Sequence, residues 1–74
     1  MKLMRIGKTT TQVTKNNGDQ VLVSYETPVA ACVAGKWYRT ADFWSVTTSK
    51  QINKWLLGIS TVSTMPQSFF DELL

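Results

Sequence analysis

Histidine is missing from these 74 residues, and cysteine occurs only once, as Cys32. A single cysteine excludes an intrachain disulfide framework, and without histidine the usual ligand sets for zinc cannot be assembled. No metal or cofactor is expected. Between Ala31 and Val33, Cys32 reads as a small buried hydrophobe rather than a nucleophile, and a reducing compartment suits it. Acids are also sparse: Asp19, Glu26, Asp42, Asp71 and Glu72 are scattered, with only the last two adjacent. General acid–base catalysis usually draws on histidine or paired carboxylates in a pocket, so no catalytic residues are assigned and an enzyme is not expected. Long apolar runs are lacking too. Nothing approaches the roughly 20 residues of a membrane-spanning helix, and the opening Met1-Lys2-Leu3-Met4-Arg5 lacks the apolar stretch of a signal peptide. A cytoplasmic protein without a membrane partner is the expectation.

What the chain does have is aromatic mass: three Trp, three Phe and two Tyr. A chain this short buries only about 60% of its unfolded surface, so these few large side chains must supply the core of a single domain, residues 1–74. Trp37 and Trp44 are accordingly read as core. The net charge of +3 is compatible with nucleic acid or an acidic protein surface.

The threonine-rich stretch from Arg5 to Thr14 reads as a first strand with a polar face. Its Gly7-Lys8-Thr9 resembles the end of a phosphate-binding loop, but the first glycine and the strand–loop–helix setting are missing. Asn16-Asn17-Gly18 is the strongest turn. With Gly18 in the left-handed position of a three-residue loop, Lys15 faces Asp19 and Val13 faces Val21. That register gathers Val13, Val21, Val23 and Tyr25 on one face with Thr9 and Thr11, whereas a one-residue slip would divide them. Strand two then runs from Gln20 to Thr27, halted by Pro28. Strand three is the small-residue run Val29–Ala34, and strand four is Lys36–Thr40 after the Gly35 turn. Ala41 to Val46 could extend the sheet, with Phe43, Trp44 and Val46 adding apolar mass.

The clearest helix is Thr47–Leu57. Thr48 and Gln51 are spaced as a capping box. Ile52, Trp55, Leu56 and Ile59 form one apolar stripe, and Gly58 marks the stop. Lys50, Asn53, Lys54 and Leu57 lie off the stripe. Ser60–Thr64 reads as a polar linker, followed by a short helix from Pro66 to Leu73 that docks Phe69, Phe70 and Leu73. The expected fold is α+β: a small antiparallel sheet of about four strands, packed by one helix in the C-terminal half plus a short terminal helix.

Four strings, Ile6-Gly7-Lys8-Thr9-Thr10-Thr11, Ser24-Tyr25-Glu26-Thr27-Pro28-Val29-Ala30, Ser45–Leu56 and Pro66-Gln67-Ser68-Phe69-Phe70, resemble a family of very small uncharacterised proteins encoded by tailed bacteriophages. The most specific part is the Thr-Thr-Ser-Lys helix start followed by Ile-Asn-Lys-Trp-Leu. Where that family often carries His, this chain has Gln51. The resemblance implies an accessory protein acting in the cytoplasm of a bacterial host, and it carries over no catalytic residues.

Protein–protein interaction is the leading functional reading, with a host protein as partner and modulation or inhibition as the effect. Two surfaces are candidates. One is edge pairing by the threonine-rich first strand, with itself or a host protein. The other combines Trp37, Tyr38 and Arg39, residue types enriched in interface hot spots, with Lys50, Asn53, Lys54 and Leu57 on the helix. A nucleic-acid module is the alternative, with Lys36, Trp37, Tyr38, Arg39 and Trp44 interleaving cations and aromatics as a stacking strand would. A small virion or self-assembling component is a third reading, and a homo-oligomer is compatible with it.

Overall fold

A computed structural model of the chain describes residues 2–42 and 44–73. It contains one six-stranded sheet, in the order β1-β2-β3-β4-β5-β6. The strands are β1 (Lys2–Arg5), β2 (Thr10–Thr14), β3 (Gln20–Ser24), β4 (Thr27–Val33), β5 (Lys36–Thr40) and β6 (Ser63–Met65). Helix α1 (Val46–Trp55) lies between β5 and β6, and α2 (Gln67–Asp71) follows β6. The first five strands form an antiparallel meander, whereas β5 and β6 run parallel.

Six strands in a mixed sheet replace the four antiparallel strands expected, and each addition has a local cause. The stretch from Arg5 to Thr14 does not run straight: the Ile6 and Gly7 N–H groups both reach the Thr10 carbonyl, at 2.9 and 3.3 Å. The chain therefore reverses, and Lys2–Arg5 becomes a separate strand. The threonine-rich β2 is consequently interior, paired on both sides, and is not available as an edge. At the other end, the supposed linker Ser60–Thr64 contains the start of β6, which lies beside β5 because α1 carries the chain back across the sheet. Such a crossover returns the strand in the parallel sense. Ala41 and Asp42 bend away instead of extending the sheet, and Trp44 and Val46 are exposed. Phe43 lies outside the described residues.

The β2–β3 hairpin has the expected register. Val13 pairs with Val21, the Lys15 N–H donates to the Asp19 carbonyl at 2.8 Å, and Gly18 has φ +95°. The next turn comes earlier than Pro28, at Tyr25-Glu26, where Tyr25 itself takes φ 58°. Pro28 does not stop a strand. It sits opposite Val23, where the pairing register shifts, and beyond the part of β4 that pairs with β5. Its missing N–H therefore costs no ladder bond to β5.

Side chains alternate across the sheet, and each face has its own cover. On one face Val13, Val21, Val23 and Ala31 bury Phe70 of α2, with Phe69 and Leu73 packed around them. On the other, Leu22, Val29 and Ala30 bury Ile52 and Leu56 of α1, with Trp37 and Trp55 alongside. The small residues of β4 are what let both helices approach: Ala31 lies in the cluster under Phe70 and Ala30 in the cluster under Ile52 and Leu56. Full burial of a side chain such as Phe70 contributes about 1.5–3 kcal/mol, a large share of the stability of so small a domain.

Candidate functional site

The start of α1 is built from hydroxyls, but not as the spacing suggests. Ser45 is the N-cap, and its Oγ accepts the Thr48 N–H at 3.0 Å. Thr48 and Gln51 thus do not cap the helix; both turn inward to the sheet. The Ser24 hydroxyl donates to Gln51 Oε1 at 2.6 Å. Having spent its proton there, Ser24 Oγ accepts from Thr48 Oγ1 at 3.1 Å, and Thr48 Oγ1 in turn accepts from Ser45 Oγ at 3.1 Å. Gln51 Nε2 closes the chain by donating to Thr9 Oγ1 at 2.7 Å. Every hydroxyl proton in the path from Ser45 to Gln51 has a direction, which makes this a structural clamp. The helix ends at Trp55, short of the expected Leu57, with Leu56 as its C-cap and Gly58 at φ +87° in the turn that follows.

The aromatic and basic residues of β5 do not share one surface. Trp37 lies on the α1 face, edge-on to Trp55 with ring centroids 5.3 Å apart. Tyr38 lies on the α2 face, 5.0 Å from Phe69. Arg39 returns to the α1 face and donates from Nη1 to Asn53 Oδ1 at 3.1 Å. Strand alternation divides the trio, and the two rings are occupied by packing rather than displayed for stacking. Trp37, expected in the core, is half-buried against its margin, and Trp44, also expected there, is a surface ring, its Nε1 donating to Gln67 Oε1 at 3.2 Å. Lys50, Asn53 and Lys54 are exposed on α1, and Leu57, expected in the helix, lies past its C-cap and is 83% exposed. Cys32 is half-buried on β4.

The most exposed apolar strand surface lies elsewhere, at β1. Leu3, Met4 and Ile6 are 67%, 49% and 46% exposed. All four residues of β1 are exposed, because the strand lies beyond the cover of both helices. Leu3 pairs with Val13 and so faces the α2 side, while Met4 pairs with Gln12 and faces the α1 side. On that side Met4 and Ile6 line a groove of about 410 Å3, whose floor and far wall include Leu22, Gln51, Lys54 and Trp55. The wall is firm: Trp55 Nε1 donates to Gln12 Oε1 at 3.0 Å. Arg5 is held back along its own loop, with Nε donating to the Gly7 carbonyl at 3.3 Å and Nη2 to the Lys8 carbonyl at 3.0 Å.

Sequence reasoning passed over Lys2, Leu3 and Met4, and took Ile6 as part of the strand from Arg5 to Thr14. The one signal that pointed to them was Gly7, a breaker inside what otherwise reads as a continuous strand. Among the described residues, no group of three or more His, Cys, Asp or Glu could hold a metal ion. No described helix is long and apolar enough to cross a membrane.

Fold and site together define a small sheet-and-helix domain that presents an open, apolar strand edge beside a shallow groove. The chain belongs to a family of unknown function, DUF8033, which it matches over residues 1–72. No curated protein and no solved structure matches it.

Proposed function

We propose that this domain works by protein–protein contact, as a small accessory protein that binds a host protein and modulates or inhibits it. The observation that supports this reading most is the exposed pair Met4 and Ile6, which line one groove beside the β1 edge of the sheet, with Leu3 exposed on the opposite face. Clustered exposed apolar residues rimmed by polar ones mark interaction surfaces. The partner-binding residues first considered are reduced accordingly: Lys54 borders the groove, whereas Trp37 and Tyr38 are engaged in packing. A phage origin and a place in the bacterial cytoplasm belong to the same proposal, supported by the sequence resemblance. The nucleic-acid alternative loses its supposed platform, since Trp37 and Tyr38 face opposite sides of the sheet.

The deciding experiment is affinity capture of the tagged protein from bacterial lysate with and without nuclease. Recovery of one defined protein at stoichiometric amounts, unchanged by nuclease, is the expected result. Loss of all recovered material on nuclease treatment transfers the case to nucleic acid, and stoichiometric presence in purified virions transfers it to a structural role.

A further inference from the structure

We propose that β1 is a docking edge for an acidic, extended segment of the partner, which adds antiparallel to it as a further strand. The inference rests on the protein-binding reading above and specifies how the contact is made.

The direction of the backbone groups comes first. Ile6 N–H bonds to the Thr10 carbonyl, in the same register that pairs Met4 with Gln12 and Lys2 with Thr14. In an antiparallel ladder hydrogen-bonded pairs alternate with non-bonded ones. The β2–β3 side agrees, since Lys15 bonds to Asp19 and so assigns the odd positions of β2 to β3. Lys2, Met4 and Ile6 therefore face β2, while Leu3 and Arg5 turn their N–H and C=O groups outward. An incoming strand would meet these groups in the order a ladder requires. The opposite edge, β6, is only three residues long and presents exposed Ser63 and Thr64, so it has no apolar side chains of this kind to cover.

Charge then selects the occupant. Lys2 and Arg5 lie in β1 itself, Lys8 lies in the loop that follows, and Lys54 stands at the groove with Met4 and Ile6. Among the described residues no carboxylate lines that groove; Glu26 lines the adjoining hollow with Arg5 and Lys8. A second copy of this chain is the poorer occupant. Its β1 carries Lys2 and Arg5 and no carboxylate, so self-pairing adds cations to the edge without a counter-charge. A strand with apolar residues opposite Met4 and Leu3 and carboxylates opposite Arg5 and Lys2 instead covers the apolar side chains on both faces and meets a cation on each, the carboxylate at Lys2 sharing the α1 face with Lys54.

The test is a nuclear magnetic resonance titration of the full chain with the capped peptide Val-Val-Glu-Val-Val-Glu-Val, whose spacing sets Glu opposite Arg5 and Lys2 and Val opposite Met4 and Leu3, beside its Lys–Val counterpart. The Glu–Val peptide is expected to shift the resonances of β1, the 6–9 loop and Lys54, and to slow amide exchange at Leu3 and Arg5. Leu3→Pro removes an outward N–H without touching the β1–β2 ladder, and is expected to weaken binding at least tenfold. Lys2→Glu with Lys54→Glu is expected to do the same. Equal binding of the Lys–Val peptide, or wild-type binding by both Leu3→Pro and the Lys2→Glu/Lys54→Glu pair, overturns the proposal. So does a dimer in which the Leu3 and Arg5 amides are already protected. A defined host protein captured equally by wild type and Leu3→Pro removes the edge assignment and leaves the protein-binding reading standing.

Discussion

Gln51 on α1 donates to the hydroxyl of Thr9 at 2.7 Å and so ties the helix to the loop that carries β1. The same side chain accepts from Ser24, so Gln51→Ala removes two bonds and leaves a buried Ser24 hydroxyl without its acceptor. Stranding a buried donor costs about 1–3 kcal/mol. Thermal or urea unfolding should show that loss, and hydrogen exchange should quicken first at the Tyr25 amide, which bonds to the Thr9 carbonyl at 2.6 Å.

Phe70 is the buried aromatic of one face, and Leu57 is an apolar residue of the same chain left in solvent. Phe70→Ala is expected to cost about 3–5 kcal/mol, enough to unfold most of the population in a domain of this size. Leu57→Ala should stay within about 0.5 kcal/mol of wild type. Circular dichroism with urea titration checks both.

The β4–β5 turn places Ala34 at φ 52° and Gly35 at φ +78°. A left-handed residue with a Cβ costs roughly 1–2 kcal/mol, and Asn tolerates the conformation better. Ala34→Asn should therefore raise the stability by about 0.5–1 kcal/mol, within the range this strain allows. Gly35→Ala should lower it by about 1–2 kcal/mol through backbone strain alone, because a Cβ there would meet open space. Melting temperatures of the two variants are expected to move in opposite directions.

Lys50 and Lys54 are both exposed on α1. Replacing either by Glu should change the unfolding midpoint by no more than the equivalent of about 0.5 kcal/mol. A larger loss would mean that these cations hold the fold, contrary to their placement.

The features legible from the sequence were those with a local chemical signature. Asn17-Gly18 set one hairpin register, the Ile52–Leu56 spacing identified the buried face of α1, and Phe69-Phe70-Leu73 identified the residues docked from α2. The rest depended on tertiary context. The Tyr25-Glu26 turn has neither Gly nor Asn, so Pro28 was the only visible punctuation nearby and marked the boundary wrongly. Thr48 and Gln51 have capping spacing, yet Ser24 across the sheet offers them partners, and Ser45 caps instead. Four residues of β1 and three of β6 are too short for periodicity to speak. The docking edge was illegible for the same reason: Leu3 and Met4 look like interior residues until their neighbours are known to lie out of reach.

The parallel pairing of β5 with β6 also orders the folding of the chain. The first five strands join neighbours in sequence, contacts that close quickly because little chain entropy is lost. β6 can join only after α1 has crossed over, and Phe70 follows β6. During synthesis, then, α1 can cover the Leu22 and Ala30 face first, while the face bearing Val13, Val21 and Ala31 waits bare until α2 arrives. A ribosome stalled before Phe70 would hold a sheet with one apolar face uncovered, and α2 is the segment that closes it.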